Sequence, residues 1–210
     1  MQESWADGTV LLQCKGDLWQ ITLNRPDKAN ALTAQMLEAL IEIAELGAET
    51  RVFVLTGAGG VFCAGADLDA AKAGLAVSPL WEDLSGAIAN LPGLTMAALN
   101  GTLAGGAMGM ALACDLRIAV PKAKFFYPVM SLGFLPQPSD PGRMAALIGP
   151  SRTKLILMGG AKIEAVEALQ MGLIDRIVDP DALVETVEEL AAPTLNAPID
   201  IARGIKGLCR

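Results

Sequence analysis

No histidine occurs among the 210 residues. That absence excludes a Ser-His or Cys-His nucleophile, a histidine-ligated zinc and any imidazole acid or base. Cysteine is scarce and unpaired in pattern. Cys14, Cys63, Cys114 and Cys209 show no CxxC spacing and no disulfide-rich density, which points to free thiols in a reducing compartment. Basic excess is missing too: 16 Lys and Arg stand against 23 Asp and Glu, a net charge of −7, so no overall field draws in nucleic acid. Long apolar runs are also absent. The stretches 51–55 and 95–99 are too short to span a bilayer, and no basic segment precedes an apolar one at the start. A cytoplasmic protein without membrane contact is expected, with small molecules or copies of itself as partners.

What is present is enough for one large core, since 52% of the residues are hydrophobic. The segment 9–26 reads as two strands joined by the turn Lys15-Gly16-Asp17, with Trp19, Ile21 and Leu23 alternating onto one face. Thr33 is a good N-cap for a helix in which Met36, Leu37, Leu40 and Ile43 recur at helical spacing. A buried strand "RVFVLTG" follows, then a loop holding "FCAGADL", and after it an irregular stretch and a helix from about 81 to 91. The strand "TMAALNG", a turn with Gly105 and Gly106, a helix of small residues and the strand "DLRIAV" repeat the theme. Downstream, "AKFFYPV" is a short strand, and Ser139 or Asp140 offers an N-cap with Pro141 at the first helical position. Short helices, a strand "DRIVD" and an acidic amphipathic helix over 182–192 complete an α/β pattern. Residues 1–195 form the expected core domain and 196–210 a C-terminal helical segment.

The glycine-rich turns admit several chemistries. A dinucleotide fingerprint fails because Phe62 stands where the third glycine belongs, and no run matches a phosphate-cradling loop. An oxyanion hole remains: two helix starts, each reached through small residues, can aim one N–H apiece at a single oxygen. The same small residues also serve simply to let helices pack close to strands. With no histidine, no side chain is at hand to make Cys63 a thiolate nucleophile, and packing is the better reading of it.

The motifs "ITLNRPDKANAL", "VFVLTGAGGVFCAGADL", "AALNGTLAGGAMGMALACDLRIA" and "EALQMGLIDRIV" together resemble the enoyl-CoA hydratase/isomerase, or crotonase, superfamily, in order from about residue 8 to 204. The resemblance implies a spiral of ββα units that binds acyl-CoA thioesters and holds their enolates with two backbone N–H groups. Carried over, the donors are Ala66 and Gly106. The implied CoA-binding set is Lys28, as a phosphate contact, with Cys63, Ala64, Gly65, Asp67 and Gly105 along the adenine, pantetheine and thioester path. Asp67 also reads as the cap of the helix after the turn. Coenzyme A enters only as part of the substrate, with no metal and no other cofactor. The resemblance further implies a lyase or isomerase of fatty-acid metabolism and a homo-oligomer, a trimer. Much of the family's trimer interface comes from helices that would begin near Pro198, and that region is shortened here.

The sequence departs from the family where hydratases place two glutamates. The first position, three residues after the oxyanion glycine, is Gly109, and the second is Val129. Other subfamilies place an acid or tyrosine where this chain has Gln137, whose amide can orient a group but cannot take a proton. Asp140 is the nearest carboxylate, either a helix start or an acid/base group, and Tyr127 is either a core phenol or a pocket residue. Two functions follow. One is an acyl-CoA enzyme catalysing isomerisation, decarboxylation or hydrolysis; the other is a non-catalytic acyl-CoA binder or scaffold on the same fold.

Overall fold

The computed structural model describes residues 1–209. β2 (Val10–Lys15) and β3 (Leu18–Leu23) form the expected hairpin, with Val10 opposite Leu23 and Lys15 opposite Leu18. Ile21 and Leu23 are fully buried, and Trp19 is half-buried against the same core. A further strand, β1 (Gln2–Trp5), pairs antiparallel with β2. Gln2, Glu3 and Ser4 are all exposed, so its sequence carries no apolar alternation to announce a strand.

From β4 (Val52–Gly57) onward, each turn of the chain gives one strand to each of two sheets. β4 is followed by β5 (Val61–Cys63), β6 (Leu94–Leu99) by β7 (Thr102–Ala104), and β8 (Leu116–Ala119) by β9 (Lys124–Phe126). The last strands are β10 (Ile163–Glu164) and β11 (Arg176–Ile177). The larger sheet runs β1-β2-β3-β4-β6-β8-β11 and the smaller β10-β9-β7-β5. Pairing is parallel from β3 to β11, as crossovers through helices require. The result is the expected α/β spiral of repeated ββα units. Phe53, Phe62 and Phe125, from both sheets, sit in its centre with essentially no exposure.

The helices follow from caps and apolar stripes. Thr33 accepts the Met36 N–H (3.3 Å) at the start of α1 (Ala34–Leu46), whose Met36, Leu37, Leu40 and Ile43 are buried. α2 (Leu68–Lys72) is short, and α3 (Leu80–Asn90) packs against α1. α4 (Met108–Leu112) continues from a 3-10 turn at Gly105–Ala107, and α5 (Val129–Leu132) ends at Gly133. The short helices expected after residue 140 are present: the span α6 (Asp140–Leu157) is interrupted at Gly149, whose φ of +79° and ψ of 159° are not helical, and Pro150 opens its second part. The start of α6 differs from expectation. Ser139 is the cap residue, but its N–H and hydroxyl donate to Glu82 of α3 rather than folding back on the helix, and Pro141 is the second helical residue.

α7 (Ala165–Met171) leads to β11, and α8 (Leu183–Asn196) runs one residue past the expected boundary at 195. α9 (Ile199–Leu208) is held to the spiral by Lys206, whose ammonium donates to Asp115 (2.7 Å) and the Gly93 carbonyl (2.7 Å), and by the Arg203–Glu49 pair (3.0 Å). Among the described residues, no helix is long and apolar enough to cross a membrane.

Candidate functional site

The second strands of the spiral end at the two small-residue loops. β5 lies parallel to β7, with Cys63 opposite Leu103, so chain leaving both strands emerges side by side. Gly65 adopts φ +96°, and a Cβ there would come within 3.0 Å of the Ala104 carbonyl and 3.4 Å of the Gly105 Cα. Only glycine permits this approach. Residues 64–66 and 104–106, forty apart in sequence, thus meet backbone to backbone.

Most N–H groups of the first loop are taken. Ala64 donates to the Ala29 carbonyl (3.0 Å), Gly65 to the Cys63 sulfur (3.4 Å) and Asp67 to the Leu32 carbonyl (2.8 Å). Among the described residues, this pattern leaves the Ala66 N–H without an acceptor. Gly106 lies in the first turn of the 3-10 segment, where N–H groups have no acceptor within the helix.

Both loops open on a cavity of about 410 Å³, lined in part by Ala64, Ala66, Ala104, Gly105 and Gly106. The rest of the lining includes Trp81, Phe126, Tyr127, Val129, Leu132 and Gln137, with Trp81 packed close to Gly106 and Phe126 paired to Ala104. A larger depression of about 1010 Å³ lies between α1 and α3. Its wall holds Glu38, Glu42, Glu45 and Asp83 and none of the motif residues, so it would repel an anionic ligand.

Asp67 fixes the loop. Its Oδ1 accepts the Asp69 and Ala70 N–H groups (3.1 and 3.2 Å) at the start of α2, while Oδ2 receives Arg25 (2.8 Å). The Arg25 hydrogen bond, followed by the Ala70 N–H, holds its carboxyl below the usual range. The stability this confers is therefore present above the ordinary carboxylate pKa and lost as pH falls through the lowered one. Asp67→Ala is expected to cost about 1 kcal/mol through the lost cap. Urea unfolding at pH 7 measures that loss, which Asp67→Asn, still able to accept at the cap, should largely avoid.

Other expected residues stand further off. Cys63 is fully buried, donates to the Asn30 carbonyl (3.0 Å) and does not line the cavity; burial pushes its thiol up to about 12. Lys28 is exposed in the turn Pro26–Lys28, outside the cavity wall. A residue that motif reading passed over, Asn30, anchors that turn. Fully buried, it accepts the Arg25 N–H (2.8 Å) and donates to the Ala58 and Val61 carbonyls (2.9 and 2.8 Å). Its left-handed φ of +54°, which asparagine tolerates better than most residues, is visible only in the structure.

Tyr127 of the cavity lining forms a polar pair with Asp140, which lies behind it outside the lining. Tyr127 is 3% exposed; its hydroxyl donates to Asp140 Oδ2 (2.9 Å) and accepts the Gln137 N–H (3.4 Å). Asp140 has no exposed surface, and its Oδ1 has no hydrogen-bond partner among the described residues. Burial pushes its carboxyl up to about 6, with nearby Glu82 adding and the Tyr127 hydroxyl and Arg143 opposing. Burial first, then Asp140, also raises the Tyr127 phenol. A Cβ on Gly109 would sit 2.7 Å from Asp140 Oδ1. The carboxyl of Asp140 therefore occupies the space into which a side chain at 109 would grow. Among the described residues, no cluster of three or more His, Cys, Asp or Glu could hold a metal ion.

A spiral of ββα units that delivers two small-residue loops to one pocket defines the crotonase fold. Residues 13–209 match the family described as enoyl-CoA hydratase/isomerase, and the chain belongs to that family. The short-chain-enoyl-CoA hydratase of Clostridium acetobutylicum is 33% identical over 91% of this chain and 77% of its own length. The mouse ethylmalonyl-CoA decarboxylase is 28% identical over 97% of this chain and 67% of its own. A Thermobifida fusca YX protein, solved in complex with acetoacetyl-CoA, superposes with a TM-score of 0.87 at 29% identity, over 96% of this chain and 86% of that one.

Proposed function

We propose that the protein binds an acyl-CoA thioester in the cavity beside Gly65 and processes it through an oxyanion held by the Ala66 and Gly106 N–H groups. The observation that carries this reading is the meeting of the two loops at Gly65 and Gly105, with the Ala66 N–H left unclaimed among the described residues. A thioester oxygen gains most from such donors when negative charge develops on it, as in an enolate. The apolar wall of Trp81, Phe126 and Leu132 suits an acyl chain without charge. The acetoacetyl-CoA complex of the Thermobifida fusca relative supports the ligand class. Coenzyme A comes with the substrate, and no further cofactor is required.

Gly109 and Val129 stand where hydratases of this family carry glutamates, so addition of water is not the reaction we assign. Isomerisation, decarboxylation or hydrolysis fits better, and the decarboxylase relative is named for a reaction other than hydration. The second reading is a non-catalytic acyl-CoA binder, favoured by the wall at Val129 and Gln137, which offers no carboxylate. Titrating a panel of CoA thioesters by calorimetry, with turnover followed in parallel, is expected to show both binding and reaction. Binding without turnover on every member would establish the binder, and failure to bind any member would overturn both readings.

A further inference from the structure

The Tyr127–Asp140 pair is buried, joins the cavity wall to a carboxylate with a free oxygen, and has no part in the oxyanion hole. Burying a carboxylate with one oxygen unpaired is costly, and residues that retain such a group tend to use it. A packing role alone is poorly served here, because an apolar side chain in place of Asp140 would avoid the cost. The geometry points to Tyr127 as the proton-handling residue of the cavity, with Asp140 acting through it in the space that Gly109 leaves open. This inference rests on the thioester reading above and names the group that reading leaves unassigned.

The hydrogen-bond direction sets the step. Tyr127 already donates its O–H to Asp140, and one of its two lone pairs takes the Gln137 N–H, leaving one to accept. When the thioester Cα–H bond breaks, its electron pair forms the enolate, and the charge settles on the oxygen held by the loops. The proton passes to the Tyr127 oxygen as the tyrosine's own proton passes to the Asp140 carboxylate. Running the relay backward returns one proton to carbon, at the α or the γ position, so neither water nor a second acid is consumed. The charged and titratable groups that bear on the pair are Glu82 from α3, which raises the Asp140 titration, and Arg143 from α6, which lowers it; α4 faces the carboxyl with Gly109.

The test follows loss of the α-proton signals of butyryl-CoA in deuterated buffer by NMR, with calorimetry of butyryl-CoA alongside. Wild-type protein is expected to exchange the α-protons, faster as Asp140 loses its proton near pH 6 and level above. Tyr127→Phe should lower exchange about a hundredfold, a general acid/base effect, with the dissociation constant within a few-fold. Asp140→Asn should remove the inflection near pH 6 as well as the rate, which a purely structural role would not do. Failure of wild-type protein to bind butyryl-CoA or any other member of the thioester panel would sink the thioester reading itself. Binding without exchange, or exchange in Tyr127→Phe at the wild-type rate, overturns the relay and leaves that reading standing.

Discussion

Gly106→Pro is expected to lower turnover of any CoA thioester that the protein processes by about a hundred- to a thousandfold, the usual cost of one oxyanion donor. Proline removes the N–H, puts its ring Cδ where that hydrogen pointed and restricts Gly105 before it (φ +60°). It also adds a Cβ, and at Gly106 that atom would lie 3.1 Å from the Trp81 ring, so the substitution presses on packing. Gly106→Ala supplies the control, because it adds the same Cβ and keeps the N–H. The difference between the two variants removes the Cβ contribution and leaves the lost donor together with the proline ring. Trp81 is held by its indole N–H on the Leu75 carbonyl (2.7 Å), so both variants should disturb it alike, and intrinsic fluorescence can confirm that they do. Turnover in Gly106→Pro equal to that in Gly106→Ala would remove Gly106 from the mechanism. A loss confined to the Michaelis constant would mean that its N–H binds substrate and transition state equally.

The features that the sequence made legible are those with a local chemical cause. Thr33 and Asp67 announce helix starts because a side-chain acceptor must lie next to unpaired N–H groups. The hairpin at Gly16 and the buried strand at 52–57 announce themselves by alternation and by a continuous apolar run. The strands β5 and β7 stayed hidden because three residues cannot show a period, yet they are what carries the two loops to one place. The spiral was therefore read through resemblance, whereas the contact of Gly65 with Ala104 and Gly105 emerges only from the coordinates. Gly109 and Asp140 show the same limit more sharply. One read as a lost glutamate and the other as either a helix start or an acid/base group. Their fit is one of volume between two distant helices, and such complementarity leaves no trace in either segment alone.

That fit gives the second large effect. Gly109→Ala is expected to destabilise the protein by about 1–3 kcal/mol, because a methyl at 2.7 Å from Asp140 Oδ1 overfills a closed site. Asp140 begins α6 and Gly109 lies within α4, so neither backbone can withdraw without moving a helix. In the Asp140→Ala background, where the opposing oxygen is gone, Gly109→Ala should cost little. The two changes should thus couple by more than about 1 kcal/mol in a double-mutant cycle. The carboxyl itself works against the fold in a pH-dependent way. Its pKa is raised in the native state from 3.8 to about 6, so the native protein binds the proton more tightly than the unfolded chain. The contribution of Asp140 to stability is accordingly full below about pH 4 and is lost as pH rises through 6, by about 3 kcal/mol at the upper limit. Asp140→Asn keeps an oxygen for the Tyr127 hydroxyl and removes the buried charge. It should raise the urea midpoint at pH 8 and change it little at pH 4, while abolishing proton exchange at carbon. A gain in stability at the cost of chemistry is the behaviour of a functional group held in an unfavourable place. Equal or lower stability of Asp140→Asn at pH 8 would instead make Asp140 a structural residue, and the space beside Gly109 an accident of packing.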